Sequence, residues 1–369
     1  MKKKTFSKLL IGLFAVAVVA TGCSSGGSGS KAPEKKVVEG VPDNIAKDDQ
    51  VKIMVVRKIG GDDHTAQFLA GAKQEGTSMG FTVDTFSANG DTAKFHDAIS
   101  QALEKDYDGF IISHGDDAAT VEDVKKITAK GIPVVAFDSN PELANVQGVT
   151  LTSQDDENLA KLALTQMNDE LKGQGKIVYL WVDGFPPMVR RNAVYKEFMT
   201  ANSGIQEIER FGIASADTSV QTQNAVAAML TKHKKGEISA IFATWDAFAI
   251  GAARAVKEAG RDEIKIYGID VSNADLQMMQ EDKSPWVSTA AVDPKVIGQV
   301  DVRMLVKKIA GEEVPQTYDL AATLITQDKL KTASESVNMV NLAKVMPGWG
   351  ESDAFEEPWM KNLKEAYAK

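Results

Sequence analysis

Short apolar runs without polar alternation recur along this chain, and a stretch of helical periodicity separates each from the next. The sharpest is Ile132-Pro133-Val134-Val135-Ala136-Phe137-Asp138. An unbroken run of this kind reads as a strand buried on both faces, and such strands belong to parallel sheets covered by helices. Val121–Lys130 and Gly131 ahead of it read as a helix and the turn that feeds the strand. Asp138 then places a carboxylate at the strand's carboxyl end, where open α/β sheets bind ligands. There it either caps local backbone donors or grips a ligand.

The alternation extends in both directions. Strands are expected at 51–57, 81–86, 109–113 and 132–138, with helices at 64–79, 92–105 and 119–130. After a short strand at 146–152 and a helix at 156–171, a second series begins. Its strands fall at 176–182, 205–211, 238–244, 264–270 and 286–291. Helices at 189–201, 219–232, 246–259, 273–281 and 294–310 follow them. Strict alternation with short connections means parallel, doubly wound sheets, and two series without a spacer mean two similar lobes. With 369 residues and 43% apolar content, the chain is long enough to bury both cores. Beyond Lys331 the rhythm stops, and the segment carrying Trp349 and Trp359 is expected on the surface or at a hinge.

The N-terminus obeys different rules. Lys2, Lys3, Lys4 and Lys8 precede an apolar run from Leu9 to Ala20, followed by Thr21-Gly22-Cys23. A basic segment, a short apolar segment and small residues describe a signal peptide over residues 1–22. The apolar run is short for a membrane-spanning helix. Cys23 is the only cysteine, so no internal disulfide forms. Residues 23–48, with Ser24-Ser25-Gly26-Gly27-Ser28-Gly29-Ser30 at their start, read as a flexible linker. Without residues 1–22 the chain has 42 less four, or 38, basic residues against 51 acidic ones, a net of −13. So acidic a domain is a poor partner for nucleic acid.

Residues following the strands include Arg57, Lys58, Ser113, His114, Asp138, Asp183, Trp245, Asp246 and Asp270. In doubly wound sheets these share the binding edge of their lobe. Two facing edges make a polar cleft suited to a hydroxyl-rich ligand, because carboxylates accept from hydroxyls and guanidinium groups donate to them. Asp62 and Asp63 precede a helix, so one of them is expected to cap it, Asp63 being favoured. His64 and His114 are either ordinary loop and first-turn residues or donors aimed at a ligand. Trp245 reads as a core residue or, the favoured reading at a strand's carboxyl end, as an aromatic platform for the C–H face of a sugar ring, and Asp246 as an N-cap. Of Arg190 and Arg191, which follow Gly184-Phe185-Pro186-Pro187-Met188, one is expected at the surface and the other in the cleft.

The four histidines include no pair with metal-ligand spacing, so no metal is expected. There is no nucleophile elbow, dinucleotide glycine fingerprint or zinc-protease motif, so no cofactor and no enzymatic activity are expected. Hydrolysis of a sugar conjugate by paired aspartates is the remaining enzymatic alternative, and no spacing singles out such a pair.

From about Val51 to Ile325 the chain resembles periplasmic sugar-binding proteins of the ribose/galactose type, the type I solute-binding components of ABC importers. The resemblance is carried by Ile132 to Asp138, by Ile241-Phe242-Ala243-Thr244-Trp245-Asp246 with Ala249, Gly251, Ala252 and Ala255, and by Ile266-Tyr267-Gly268-Ile269-Asp270. Ala20-Thr21-Gly22-Cys23 is similar to a bacterial lipobox, which implies a lipidated Cys23 and attachment to the outer (extracellular or periplasmic) side of a cell membrane.

The family likeness implies two Rossmann-like lobes joined by a three-segment hinge near residues 153, 292 and 324. The expected N-terminal lobe is 49–153 plus 293–323, the C-terminal lobe 154–292 plus 324–345, and the tail 346–369. Asp138, Arg191 and Asp270 match the family's sugar-hydroxyl ligands, with Asp62 or its neighbours and Ser113 as further polar contacts. The full expected ligand set is Lys58, Asp62, Asp63, His64, Ser113, His114, Asp138, Arg191, Trp245 and Asp270. Four positions depart from the ribose binders: Trp245 replaces an asparagine, Ser139 an arginine, Val292 a glutamine-like contact and His64 an aromatic. The implied ligand is a pentose, hexose or sugar alcohol, and the implied partner of this monomer is an ABC permease. A sensory lipoprotein that presents its ligand to a membrane receptor or kinase is the alternative.

Overall fold

The computed structural model describes residues 35–368 except Asp49 and Ala216. The expected signal peptide, Cys23 and the serine- and glycine-rich tether lie outside the described residues. The first lobe opens with α1 (Asp43–Lys47), β1 (Lys52–Arg57), α2 (Asp63–Ser78), β2 (Thr82–Ser87) and α3 (Thr92–Leu103). It continues with β3 (Gly109–Ser113), α4 (Ala118–Ala129), β4 (Val134–Phe137) and β5 (Val149–Gln154). The second lobe holds α5 (Asp156–Leu171), β6 (Gly175–Leu180), α6 (Pro186–Ala201), β7 (Ile205–Phe211) and α7 (Thr218–Lys232). Then come β8 (Ala240–Ala243), α8 (Asp246–Glu258), β9 (Lys265–Ile269), α9 (Asn273–Gln280) and β10 (Trp286–Ala291). α10 (Pro294–Ala310) and β11 (Thr317–Leu320) return to the first lobe, while β12 (Thr323–Thr326) and α11 (Gln327–Leu330) belong to the second.

Every residue of β3, β4 and β8 is buried, as unbroken apolar runs between helix layers require. The first sheet runs β11-β5-β4-β3-β1-β2, all parallel. The second runs β12-β10-β9-β8-β6-β7, parallel except that β12 is antiparallel to β10. The strand expected over 132–138 is shorter, because Pro133 has no N–H for the ladder and Asp138 turns out of extended conformation. The short strand expected at 146–152 begins later, after a 3-10 turn at Pro141–Asn145.

The chain passes between sheets after Gln154, after Ala291 and after Leu320. A further passage follows. Leu330, Val337, Met339, Leu342, Met346 and Trp349 pack into the second lobe's core. Past Gly350 the chain lies on the first lobe: Arg303 donates to Ser352 O (2.6 Å), Phe355 meets Tyr318 edge-on, and α12 (Pro358–Tyr367) packs on α2. The 346–369 tail is therefore split between the lobes, with Trp349 buried on one and Trp359 on the other.

Close helix packing holds the first lobe's site in place. A Cβ on Gly71 of α2 would stand 2.1 Å from Lys295 O, and one on Gly298 of α10 would stand 2.2 Å from Phe68 O. The two helices meet backbone to backbone, which fixes the N-terminus of α2 over the sheet edge.

Candidate functional site

Three strands deliver site residues by the same local device. His114 after β3, Asp138 after β4 and Asp270 after β9 have φ of 61°, 44° and 76°. The N–H of each still joins the ladder, donating to Phe137 O, Thr152 O and Ala290 O respectively. The next step is left-handed, a conformation that costs a non-glycine residue about 1–2 kcal/mol. Strain of this kind, repeated at two neighbouring strand ends of the first sheet and one of the second, persists where surrounding contacts over-determine it.

For Asp138 the contact is a charge from the opposite lobe, and for Asp270 it is a charge within its own lobe. Arg190 donates through Nη2 to Asp138 Oδ1 (2.9 Å) and Asp156 Oδ2 (2.5 Å), and through Nε to Asp156 Oδ2 (2.8 Å). Arg191, 1% exposed, donates to Asp156 Oδ1 (2.8 Å), to Thr244 O (2.6 Å) and to both oxygens of Asp270 (3.2 Å each). Consecutive arginines on one helix thus both reach the cleft by converging on a shared carboxylate, Asp156, which corrects the expectation that one would lie at the surface. At the opposite rim Asn273 donates through N and Nδ2 to Asp63 Oδ2, both at 2.8 Å, a second bridge between lobes.

Asp138 is 2% exposed, and its Oδ2 has no hydrogen-bond donor among the described residues. Burial, then the neighbouring Asp156 charge, pushes its carboxyl up to about 7, against the pull of Arg190 and Arg191. Leaving a buried acceptor unpaired costs about 1–3 kcal/mol, so the position asks for a donor. Gln154, on the first passage between lobes, has a similarly buried Oε1 without a donor among the described residues. Burial raises the carboxyl of Asp270 too, opposed by Arg191.

The first lobe's wall is organised by Arg57, 1% exposed. It donates to Thr65 Oγ1 (3.1 Å), Ser113 Oγ (3.0 Å) and His64 Nδ1 (3.2 Å), and stacks over Phe68 at 4.8 Å. Ser113 Oγ also lies 2.9 Å from His114 Nδ1. Burial and the Arg57 charge pull His64 down to about 3 and hold His114 well below its ordinary value.

Asp138, Arg191, Asp270, His64 and His114 come together in the cleft. Ser113 is fully buried between Arg57 and His114. Asp62, not Asp63, caps α2: its Oδ1 accepts from Thr65 N (2.6 Å), because its extended backbone aims the carboxylate at the free N–H groups. Lys58 is held by an ion pair with Asp116 and a second with Asp117 (3.3 Å), on the loop that follows β3. Trp245 stands half-buried at the start of α8 and meets Phe248 edge-on at 5.7 Å. Asp246 is inside that helix, accepting from Ala247 N, and is not its N-cap. The expected ligand set omitted Arg57, Gln154, Asp156, Arg190 and Asn273. Arg57 had one legible signal, a cation at the end of the apolar run from Ile53 to Val56.

A family model described as "Periplasmic binding protein domain" matches residues 53–313. The ribose import binding protein of Bacillus subtilis is 25% identical over 258 residues, 70% of this chain and 81% of that protein. A sugar ABC transporter structure from Yersinia enterocolitica is 46% identical, covers 90% of this chain and 100% of its own, and superposes with a TM-score of 0.83. The 5-methylthioribose transporter solute-binding protein from Thermotoga lettingae, solved with 5-methylthioribose, is 31% identical. It covers 86% of this chain and 99% of its own, with a TM-score of 0.79.

Proposed function

Since the chain belongs to the type I periplasmic sugar-binding proteins, the solute receptors of ABC importers, we propose that it traps a small, neutral, polyhydroxylated ligand between its lobes. A pentose, a pentose derivative or a sugar alcohol fits the proposal best. The observation that carries it is Asp138, a buried carboxylate with one oxygen bridged to the opposite lobe and the other without a donor among the described residues. A ligand hydroxyl supplies that donor. Arg57, Arg190 and Arg191 are set against Asp138, Asp156 and Asp270, a balance that favours an uncharged ligand over a phosphate or an acid sugar. The likeness to sugar-transport proteins, among them the Thermotoga lettingae protein solved with 5-methylthioribose, supports the pentose end of the range.

Delivery to a permease follows from family membership, and closure of the lobes around the ligand is the signal the permease reads. Attachment through a lipidated Cys23 belongs to the same proposal and rests on Ala20-Thr21-Gly22-Cys23. No step breaks a covalent bond in the ligand.

A thermal-shift panel of D-ribose, 5-methylthioribose, allitol, D-allose, ribose 5-phosphate and glucuronate tests the ligand class. A neutral member at about 100 times its Kd adds about 2.7 kcal/mol and raises the midpoint by several degrees. Stabilisation by the phosphate or the acid alone would contradict the assignment.

A further inference from the structure

His64 and His114 each have Nδ1 inside the hydrogen-bond chain around Arg57, with Nε2 outside it. We propose that Arg57 is a positioning residue that fixes both rings as Nε2–H donors, giving the cleft two uncharged donors for acceptor oxygens of the sugar. The inference deepens the sugar-binding reading above and rests on it.

For His64 the geometry leaves one tautomer. A guanidinium has donors and no acceptor, so the 3.2 Å contact from Arg57 Nη2 requires a lone pair on His64 Nδ1. The ring proton is then on Nε2. For His114 the logic passes through Ser113. Arg57 Nη1 donates to Ser113 Oγ at 3.0 Å, and Ser113 is fully buried. Were His114 Nδ1 also to donate to that oxygen, the serine hydrogen would be buried with no acceptor among its described contacts. Donation from Ser113 to His114 Nδ1 at 2.9 Å satisfies it and again puts the ring proton on Nε2.

Arg57 is built to hold this arrangement. Its plane stacks on Phe68, which stacks in turn on Phe137 at 5.5 Å. Its Nε is fixed by Thr65, whose hydroxyl donates to Asp62 (3.1 Å). Burial brings its pKa only down to about 10, so it remains a cation around neutral pH and opposes a second positive charge on either ring. His114 follows β3 beside the end of β4, whose Asp138 is bridged to Arg190, and His64 adjoins Asp63, which is bridged to Asn273, so both residues stand on the edge that faces the second lobe. Neutral N–H donors suit a ring, ether or hydroxyl oxygen and reject an ammonium, so this edge discriminates against amino sugars.

Nitrogen-15 spectra of the histidine rings in the full protein test the proposal. The chain has four histidines, and His64→Gln and His114→Gln assign the two signals. Both rings are expected as the Nε2–H tautomer and unchanged between about pH 5 and 8. Ser113→Ala is expected to shift His114 and leave the tautomer of His64 intact, whereas Arg57→Gln releases both. A proton on Nδ1 of either ring, formation of imidazolium in that range, or a His114 signal unmoved by Ser113→Ala would overturn it. Should Arg57→Gln fail to fold, the wild-type spectra and Ser113→Ala still decide. These spectra need no ligand, so a failure of every sugar to bind would sink the functional reading separately.

Discussion

Asp301 shows at a single residue how much ionisation this fold suppresses. It is 0% exposed on α10, accepts from Thr152 Oγ1 (2.8 Å), and burial pushes its carboxyl up to about 8. An unfolded aspartate titrates near pH ~4, so between that value and about 8 the folded chain keeps a proton that the unfolded chain has released. The stability this proton contributes is complete below pH ~4 and lost as pH rises through about 8. Wild-type stability in urea is therefore expected to fall relative to Asp301→Asn from about pH 5 to 8, and parallel curves would contradict it. The neighbouring Asp138 was legible as a site residue because an aspartate closing a buried strand has few bland uses. Its left-handed backbone and its bond to Arg190 were not legible, since both depend on the opposing lobe. Asp62 was misjudged against Asp63 because capping depends on backbone direction, which adjacent aspartates do not reveal.

At the scale of elements, the site depends on helices that approach without side chains between them. Gly298→Ala drives a methyl into Phe68 O, a backbone atom that cannot swing away. The expected cost is about 1–3 kcal/mol in urea unfolding, with weakened ligand binding because α2 carries Asp62, Asp63 and His64. An unchanged unfolding midpoint would show that the α2–α10 contact yields freely. Elements with strong periodicity were legible to the residue: β3, β7, β10, α5 and α10 fall where the pattern put them. β11, β12 and α12 were missed for a physical reason. The two strands are four-residue edges with partly exposed patterns, and α12 buries only Trp359, Met360 and Leu363 against a lobe formed far earlier in sequence.

On the scale of the whole molecule, the passages between sheets carry the two walls of the cleft, and the segment around Gly350 adds another link between lobes. Removing residues 350–369 is expected to destabilise the first lobe by roughly 5 kcal/mol as an upper figure, since Trp359, Met360 and Leu363 are lost and the apolar surface they cover is exposed. Unfolding measured by urea would then begin earlier in the truncated chain, and an unchanged curve would mean the segment is only draped on the surface. A neutral sugar gripped in the interlobe cleft through Asp138 loses affinity when that carboxylate is removed. Calorimetric titration of wild type and Asp138→Ala with the neutral ligand that gives the largest thermal shift measures this dependence. The expected result is one-to-one binding by wild type and a loss of about a hundredfold or more in the variant, with unaltered circular dichroism. Equal affinity in the two proteins would contradict the claim.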